Sequence, residues 1–452
     1  MDKLLSSEKL WANCFALYAV LGALIFLAKL PPFMAPDELN HAKRADMVGA
    51  GHLLGERRTV GQTVQAGGPV EESLNAAEAP FRGIEFHPEV KVDPLANAKD
   101  QGVGWIPTKD WEPFENTAIY PPAFYLPAAI GIDFGKFFGV TVLSTLSLAR
   151  ALCALGSIAV GYAALRIAGR AGPLLFFALT LPMTLMLFSA VTQDGLMLAT
   201  TALGCAFLSK PIEDGRELTR KELIGASACL LLVGMAKPPY VLFTLLLLLV
   251  KTERPALKWQ AFGGVLGLQL VWHAVVTALI QAPIVRPDAK PDMAGQIHFL
   301  MSHPAALISV PVQTGIHAGP EYSAQMIGVL GWLDTLLPKP YYVAAYVLLV
   351  VGCCLTWTSK PTHWAWVLVI MGAVKLAIFG ALYLSYTPVG AAQVDGVQGR
   401  YFLPVLLVLP LMLVSAKAAT PSRVRTLATA AVLLFPVVSL FLTERALTTR
   451  YY

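Results

Sequence analysis

Charge is what this sequence has least of. Only 14% of its 452 residues are Asp, Glu, Lys or Arg, 56% are hydrophobic, and the mean hydropathy is +0.60. A soluble globular chain is about 25% charged. The deficit excludes a soluble enzyme, a disordered scaffold and a nucleic-acid binder, and it puts most of the chain in lipid. Metal-ligand spacing is missing too. Cys14, Cys153, Cys205, Cys229, Cys353 and Cys354 all fall inside apolar runs and read as small core residues, not as a disulfide framework. No nucleotide-binding glycine loop is present, which argues against ATP or a nucleotide-sugar as direct substrate. No internal repeat, low-complexity tract or separate soluble domain interrupts residues 1–452. No small-residue cleavage site follows the first apolar run, which ends Lys29-Leu30-Pro31-Pro32, so that run is expected to stay as an anchor.

What is present is a series of apolar runs, and an all-α polytopic membrane protein follows. Eleven runs are expected to span: 11–30, 143–165, 172–191, 195–208, 223–236, 240–250, 259–280, 341–358, 365–386, 401–416 and 426–443. Several are shorter than the roughly 20 residues a bilayer requires and must borrow flanking residues. The run 120–137 carries Asp133 and Lys136 behind Pro121, Pro122 and Pro127, and reads as a helix lying at the membrane surface. Charge placement supports this choice. With 120–137 not crossing, Lys3, Lys9, Arg166, Arg170, Lys210, Arg216, Arg220, Lys221, Lys251, Arg254, Lys258, Lys360, Lys417, Arg423 and Arg425 share one side. That is the cytoplasmic side by the positive-inside rule. The N-terminus is then cytoplasmic. The long loops 31–142 and 281–340 are extracytoplasmic, with the turns 192–194, 237–239 and 387–400, so loop-borne chemistry belongs to that face.

Polar residues at that face are the candidates for chemistry. In Pro36-Asp37-Glu38-Leu39-Asn40-His41 two carboxylates follow a membrane exit, where unused charge is expensive. If Pro36 begins a helix, Asp37, Glu38 and His41 share one face. Either carboxylate could then act as general base with His41 beside it, or could simply favour a helix N-terminus. The same three residues could hold a divalent cation. Asn116-Thr117-Ala118-Ile119-Tyr120-Pro121-Pro122-Ala123-Phe124-Tyr125, with tyrosines beside prolines at a membrane boundary, is most simply a set of interfacial anchors. Asp194 could cap a helix or face the same cavity as Asp37. Lys237-Pro238-Pro239-Tyr240 breaks an apolar stretch, where the lysine suits a phosphate or snorkels to the surface. Gln398-Gly399-Arg400-Tyr401 opens a span from the outer side. Positive charge is scarce there, and a guanidinium fork matches a phosphate. Trp332, beside Gly331 and Asp334, could stack a sugar or sit at the interface.

In order along the chain, Pro36-Asp37-Glu38…His41, Tyr120-Pro121-Pro122…Tyr125, Arg150, Asp194, Lys237-Pro238-Pro239-Tyr240, Gly328-Val329-Leu330-Gly331-Trp332 and Gln398-Gly399-Arg400-Tyr401 resemble the bacterial domain-of-unknown-function 2142 family. That family is similar to the GT-C superfamily of polytopic glycosyltransferases. The resemblance implies a GT-C-like fold whose long first loop carries surface helices, in the bacterial inner membrane. It implies inverting transfer of a sugar from a polyprenyl-phosphate carrier to a glycan or lipid acceptor. Asp37 is then the base, with Glu38 and His41 its neighbours, and Arg400 and Lys237 contact the donor phosphate. Tyr120, Asp194, Gln398, Tyr401 and Trp332 complete the substrate site. A transporter or flippase of lipid-linked sugars, or a polymerase or ligase of lipid-linked glycans, is the competing expectation. Residues 56–115 match no pattern.

Overall fold

The computed structural model describes residues 8–94, 102–284, 291–357, 363–414 and 422–452. Lys3, Lys360 and Lys417 of the basic group, the Arg423 side chain and the ends of the runs 341–358 and 401–416 lie outside the described residues.

Helices dominate because a chain in lipid must pair every backbone N–H and C=O within its own segment. Helix α1 (Glu8–Lys29) enters the first long loop, which opens with α2 (Glu38–Gly49). The segment that matched no pattern is not helical. It contains an antiparallel sheet of β1 (Glu56–Val60), β2 (Thr63–Glu71) and β3 (Lys109–Pro113), in the order β1-β2-β3. An all-α reading misses this sheet. Its signals are local: Gly61 at φ 61° opens a two-residue turn between Val60 and Thr63. At Gly67 a Cβ would stand 1.8 Å from the Glu112 carbonyl oxygen, so only glycine allows β2 and β3 to pair there.

The run 120–137 becomes a short 3-10 turn (Pro122–Tyr125) and α3 (Leu126–Phe137). At 12 residues α3 is too short to span. Its outer stripe, Leu126, Ile130, Phe134 and Phe137, is exposed, while Ala128, Ala129 and Ile132 are buried. Its lysine turns inward: Lys136 pairs with Asp46, lies 2.6 Å from Glu71 and stands 4.5 Å over the Trp105 ring. The helix thus ties its lysine inward and leaves an apolar stripe exposed, with Asp133 exposed as well.

The chain then runs through α4 (Val142–Ile167), α5 (Gly172–Leu179), α6 (Pro182–Phe188), α7 (Gln193–Asp214), α8 (Arg220–Ala236), a 3-10 helix (Pro238–Leu249) and α9 (Pro255–Leu279). In the second long loop α10 (Met293–Ser302) and α11 (Ala306–Gly328) precede a small hairpin, β4 (Val329–Leu330) with β5 (Thr335–Leu336). Last come α12 (Lys339–Thr356), α13 (Trp364–Ser385), a 3-10 turn (Gly399–Phe402), α14 (Leu403–Val408) and α15 (Ser422–Tyr451). Seven of the described helices are long and apolar enough to cross a bilayer: α1, α4, α7, α9, α12, α13 and α15. Gly169–Leu179 and Pro182–Phe188, bent by 80°, would make an eighth if they form one span. The other three runs read as spans form shorter helices. One of them, the 12-residue 3-10 helix Pro238–Leu249, rises about 2 Å per residue and so covers roughly 24 Å.

The two ends of the bundle differ in charge. At one end Lys210 approaches Glu8 at 3.7 Å, Arg170 pairs with Glu213 at 3.3 Å, Arg216 pairs with Glu222 at 2.6 Å, and the Leu218 amide bonds the Lys251 carbonyl. This end gathers the basic turns that the sequence assigns to one side. The long loops cover the other end. There Arg450, near the end of α15, bonds Asp334 at 2.7 Å and the carbonyls of Val90 and Ile84.

Candidate functional site

Pro36 does not start α2; the helix begins at Glu38, and Asp37 precedes it in the left-handed region at φ 62°. Asp tolerates that conformation better than most residues, and it sends the two neighbouring carboxylates apart. Asp37, Glu38 and His41 therefore do not share one face. Glu38 is fully buried and taken up by Arg150 of α4: Nε to Oε1 is 2.7 Å, Nη2 bonds Oε2, and the Val191 amide donates to Oε1 at 2.9 Å. The same guanidinium holds the carbonyls of Leu30 and Pro31 at 2.8 and 2.9 Å. Arg150 and Glu38 thus clamp the end of α1 to the start of α2.

Asp37 faces the other way, into a cavity of about 460 Å3 beneath the long loops. Its Oδ2 lies 2.7 Å from Arg400 Nη2, and its Oδ1 accepts from Asn116 Nδ2 at 3.0 Å. Asn40 in turn donates to Asn116 Oδ1 at 2.8 Å. Arg400 sits on the 3-10 turn Gly399–Phe402. A Cβ at Gly399 would meet the Tyr322 carbonyl oxygen at 2.1 Å, so glycine is what lets this turn seat against α11. Gln398 accepts from Arg400 Nε at 2.6 Å. Arg400 Nη1 is buried without a hydrogen bond, 3.7 Å from Asp194 Oδ2. Asp194 also takes Lys237 at 2.8 Å, and the ammonium stands 4.6 Å over the Tyr401 ring. Thr192, not Asp194, caps α7, accepting from the Asp194 amide at 3.2 Å. Two carboxylates and two cations thus alternate in the order Asp37, Arg400, Asp194, Lys237.

His41 is wedged behind this series. Its Nδ1 lies 2.6 Å from the Tyr125 hydroxyl and its Nε2 3.3 Å from the Thr192 hydroxyl, and its ring stacks on Tyr120. Tyr125 is 1% exposed, so it serves this site and not the membrane interface. Burial lowers the His41 pKa from the usual 6.5 to about 4, although Asp37 and Asp194 pull it upward. Between those values the unfolded chain binds a proton that the folded chain refuses. Stability is therefore complete above pH 6.5 and falls as pH drops from 6.5 towards 4. The thermal midpoint of the detergent-solubilised protein is expected to fall more steeply across this window than that of His41→Gln; parallel curves would refute a neutral His41.

Eight of the residues selected from sequence line the one cavity: Asp37, His41, Tyr120, Asp194, Lys237, Gln398, Arg400 and Tyr401. Two do not. Glu38 is occupied by Arg150, and Trp332 stands apart, donating to the Phe33 carbonyl at 3.2 Å with its ring edge-on to Phe86. Asn40, Glu115 and Asn116 line the cavity without being selected from sequence, and Thr192 stands behind it on His41. Asn116 opens the Tyr120 cluster, and a side-chain amide beside a proline-tyrosine boundary is its only signal. Among the described residues no three His, Cys, Asp or Glu side chains group to hold a metal ion.

Chemically, the cavity offers two cations, Arg400 and Lys237, each already paired with a carboxylate, Asp37 or Asp194. A neutral, buried imidazole backs them. No curated protein and no solved structure matches the chain. Residues 20–409 match the DUF2142 family of predicted membrane proteins, and with that span, most of its length, the chain belongs to this family.

Proposed function

We propose that this protein is an inverting membrane glycosyltransferase of GT-C type, taking its sugar from a polyprenyl-phosphate carrier. In this reading the chain crosses the bacterial inner membrane eleven times with its N-terminus in the cytoplasm. It delivers the sugar to a surface glycan or lipid on the extracytoplasmic face. The observation that carries the reading is the 2.7 Å contact of Asp37 with Arg400 inside a polar cavity at the loop-covered end of an apolar bundle. In this reading Asp37 is the base and Arg400 beside it the cation for the lipid phosphate.

The acceptor hydroxyl oxygen attacks the anomeric carbon and the bond from that carbon to the phosphate oxygen breaks. The hydroxyl proton passes to Asp37, and the polyprenyl phosphate leaves against Arg400 and Lys237. Asn116, holding the second oxygen of Asp37, orients the base. The loop layer over the cavity limits the water that would otherwise hydrolyse the donor.

The test is transfer of labelled sugar from a polyprenyl-phosphate donor by the purified protein in vesicles, with a membrane extract as acceptor. Wild type should transfer. Arg400→Gln should lose roughly a hundredfold or more in rate, as when a preorganised group stabilising the leaving charge is removed. Movement of labelled lipid across the bilayer without any transfer would replace the enzyme with a flippase.

A further inference from the structure

Lys375 lies outside the cavity and has no role in the reaction proposed above. It stands at the middle of α13, ten residues before Ser385. At 1.5 Å per residue that is roughly 15 Å from the helix end, farther than a lysine stem can snorkel. The side chain is exposed, and no ion pair or hydrogen bond engages it among the described residues. An ammonium left in hydrocarbon is costly and calls for a partner.

Lys375 also lines a groove of about 370 Å3, floored by apolar side chains such as Met371 and Leu406. The facing wall is α11, which belongs to the run 281–340 read from sequence as a loop but reaches along α13 to the level of Lys375, where it presents Gly315, Gly319 and Ser323 at every fourth position. A Cβ on either glycine would meet nothing within 4 Å. The wall is therefore open and flat enough for another backbone to approach closely.

We infer that this groove docks a transmembrane helix of a partner protein, one that carries small residues on its contacting face and a carboxylate near its midpoint. Charge complementarity selects this occupant. An acyl or isoprenoid chain would fill the groove and leave the ammonium unpaired. An anionic lipid keeps its head group at the surface, about 15 Å away. A second copy is the weaker fit: among the described spans α4, α9, α12 and α13 contain no Asp or Glu, Glu8 of α1 and Asp194, Glu213 and Asp214 of α7 lie in first or last turns, and Glu444, toward the end of α15, is paired with Lys29 at 3.5 Å.

The test uses the full protein in phosphatidylcholine vesicles. Its probes are a dye-labelled synthetic Leu/Ala transmembrane peptide with a glycine every fourth residue and a central Glu, and its Gln counterpart. Energy transfer reports association. Wild type should bind the Glu peptide about ten-fold more tightly than the Gln peptide, the scale of a favourable polar contact in a bilayer. Lys375→Met should erase the difference, and Lys375→Glu should reverse it in favour of a Lys-bearing peptide. Gly319→Leu should weaken both peptides. Equal binding of the Glu and Gln peptides by wild type, displacement of both by polyprenol, or self-association of the protein that Lys375→Met abolishes would each overturn the inference. Lys375→Met removes an unpaired charge from lipid, so loss of folding does not confound the comparison.

Discussion

Asp37→Asn is expected to abolish transfer while tightening the hold on the donor. Loss of a general base costs about 10²- to 10⁴-fold in rate. The binding effect has the opposite sign. Asp37 occupies Arg400 at 2.7 Å, and Asp194 already shares Lys237 and Arg400, so every cation in the cavity is neutralised before a ligand arrives. A phosphate must compete with Asp37 for the guanidinium. The neutral amide of the variant competes more weakly than the carboxylate. Affinity for a short-chain polyprenyl phosphate should therefore rise roughly ten-fold, the scale of one charge-assisted hydrogen bond. Donor binding that falls together with rate would show that Asp37 helps to hold the ligand and is not displaced by it. On the proposed mechanism the same exchange would occur in wild type: a phosphate taking Arg400 would free the carboxylate, which keeps its bond to Asn116.

Arg150→Met should be the most destabilising single change near the site. Glu38 is 0% exposed, and removing its partner leaves a buried carboxylate and two carbonyls, of Leu30 and Pro31, without their donor. Breaking one half of a buried ion pair costs about 3–5 kcal/mol. Pairing Arg150→Met with Glu38→Met should recover part of the loss, since the charge is then gone and only the two carbonyls and the Val191 amide stay unpaired. Thermal unfolding in detergent measures both variants. Additive losses would mean that the two residues stabilise the fold separately and that the clamp between α1 and α2 is unimportant.

Much of the site is legible because charge is conspicuous in a chain so poor in it. Asp37, Asp194, Lys237 and Arg400 each stand at the end of an apolar run, and the fold needs only to bring those ends together. Glu38 shows where this reasoning stops. Nothing in its neighbours reveals the left-handed turn at Asp37 that aims it at Arg150, 112 residues away. Trp332 shows a second limit, since composition suits a tryptophan equally to a sugar, an interface or a packing contact with Phe86. Tyr125 reads from its neighbours as a membrane-boundary residue because its partner, His41, lies 84 residues earlier. The sheet escapes for a different reason: β1 and β2 hold too few apolar residues for alternation to stand out, and β2 contains Gly67, Gly68 and Pro69.

The contact between Asp37 and Arg400 joins residues 363 positions apart in the chain. At roughly 5–20 residues per second of synthesis, the aspartate waits about 20 to 70 s for its arginine. During that interval Asn116, 79 residues downstream, is the nearer partner available to it. The paired charges of the cavity are therefore among the last parts of the molecule to assemble, and a ribosome that stalls midway leaves an inserted chain able to anchor but without Arg400 beside Asp37.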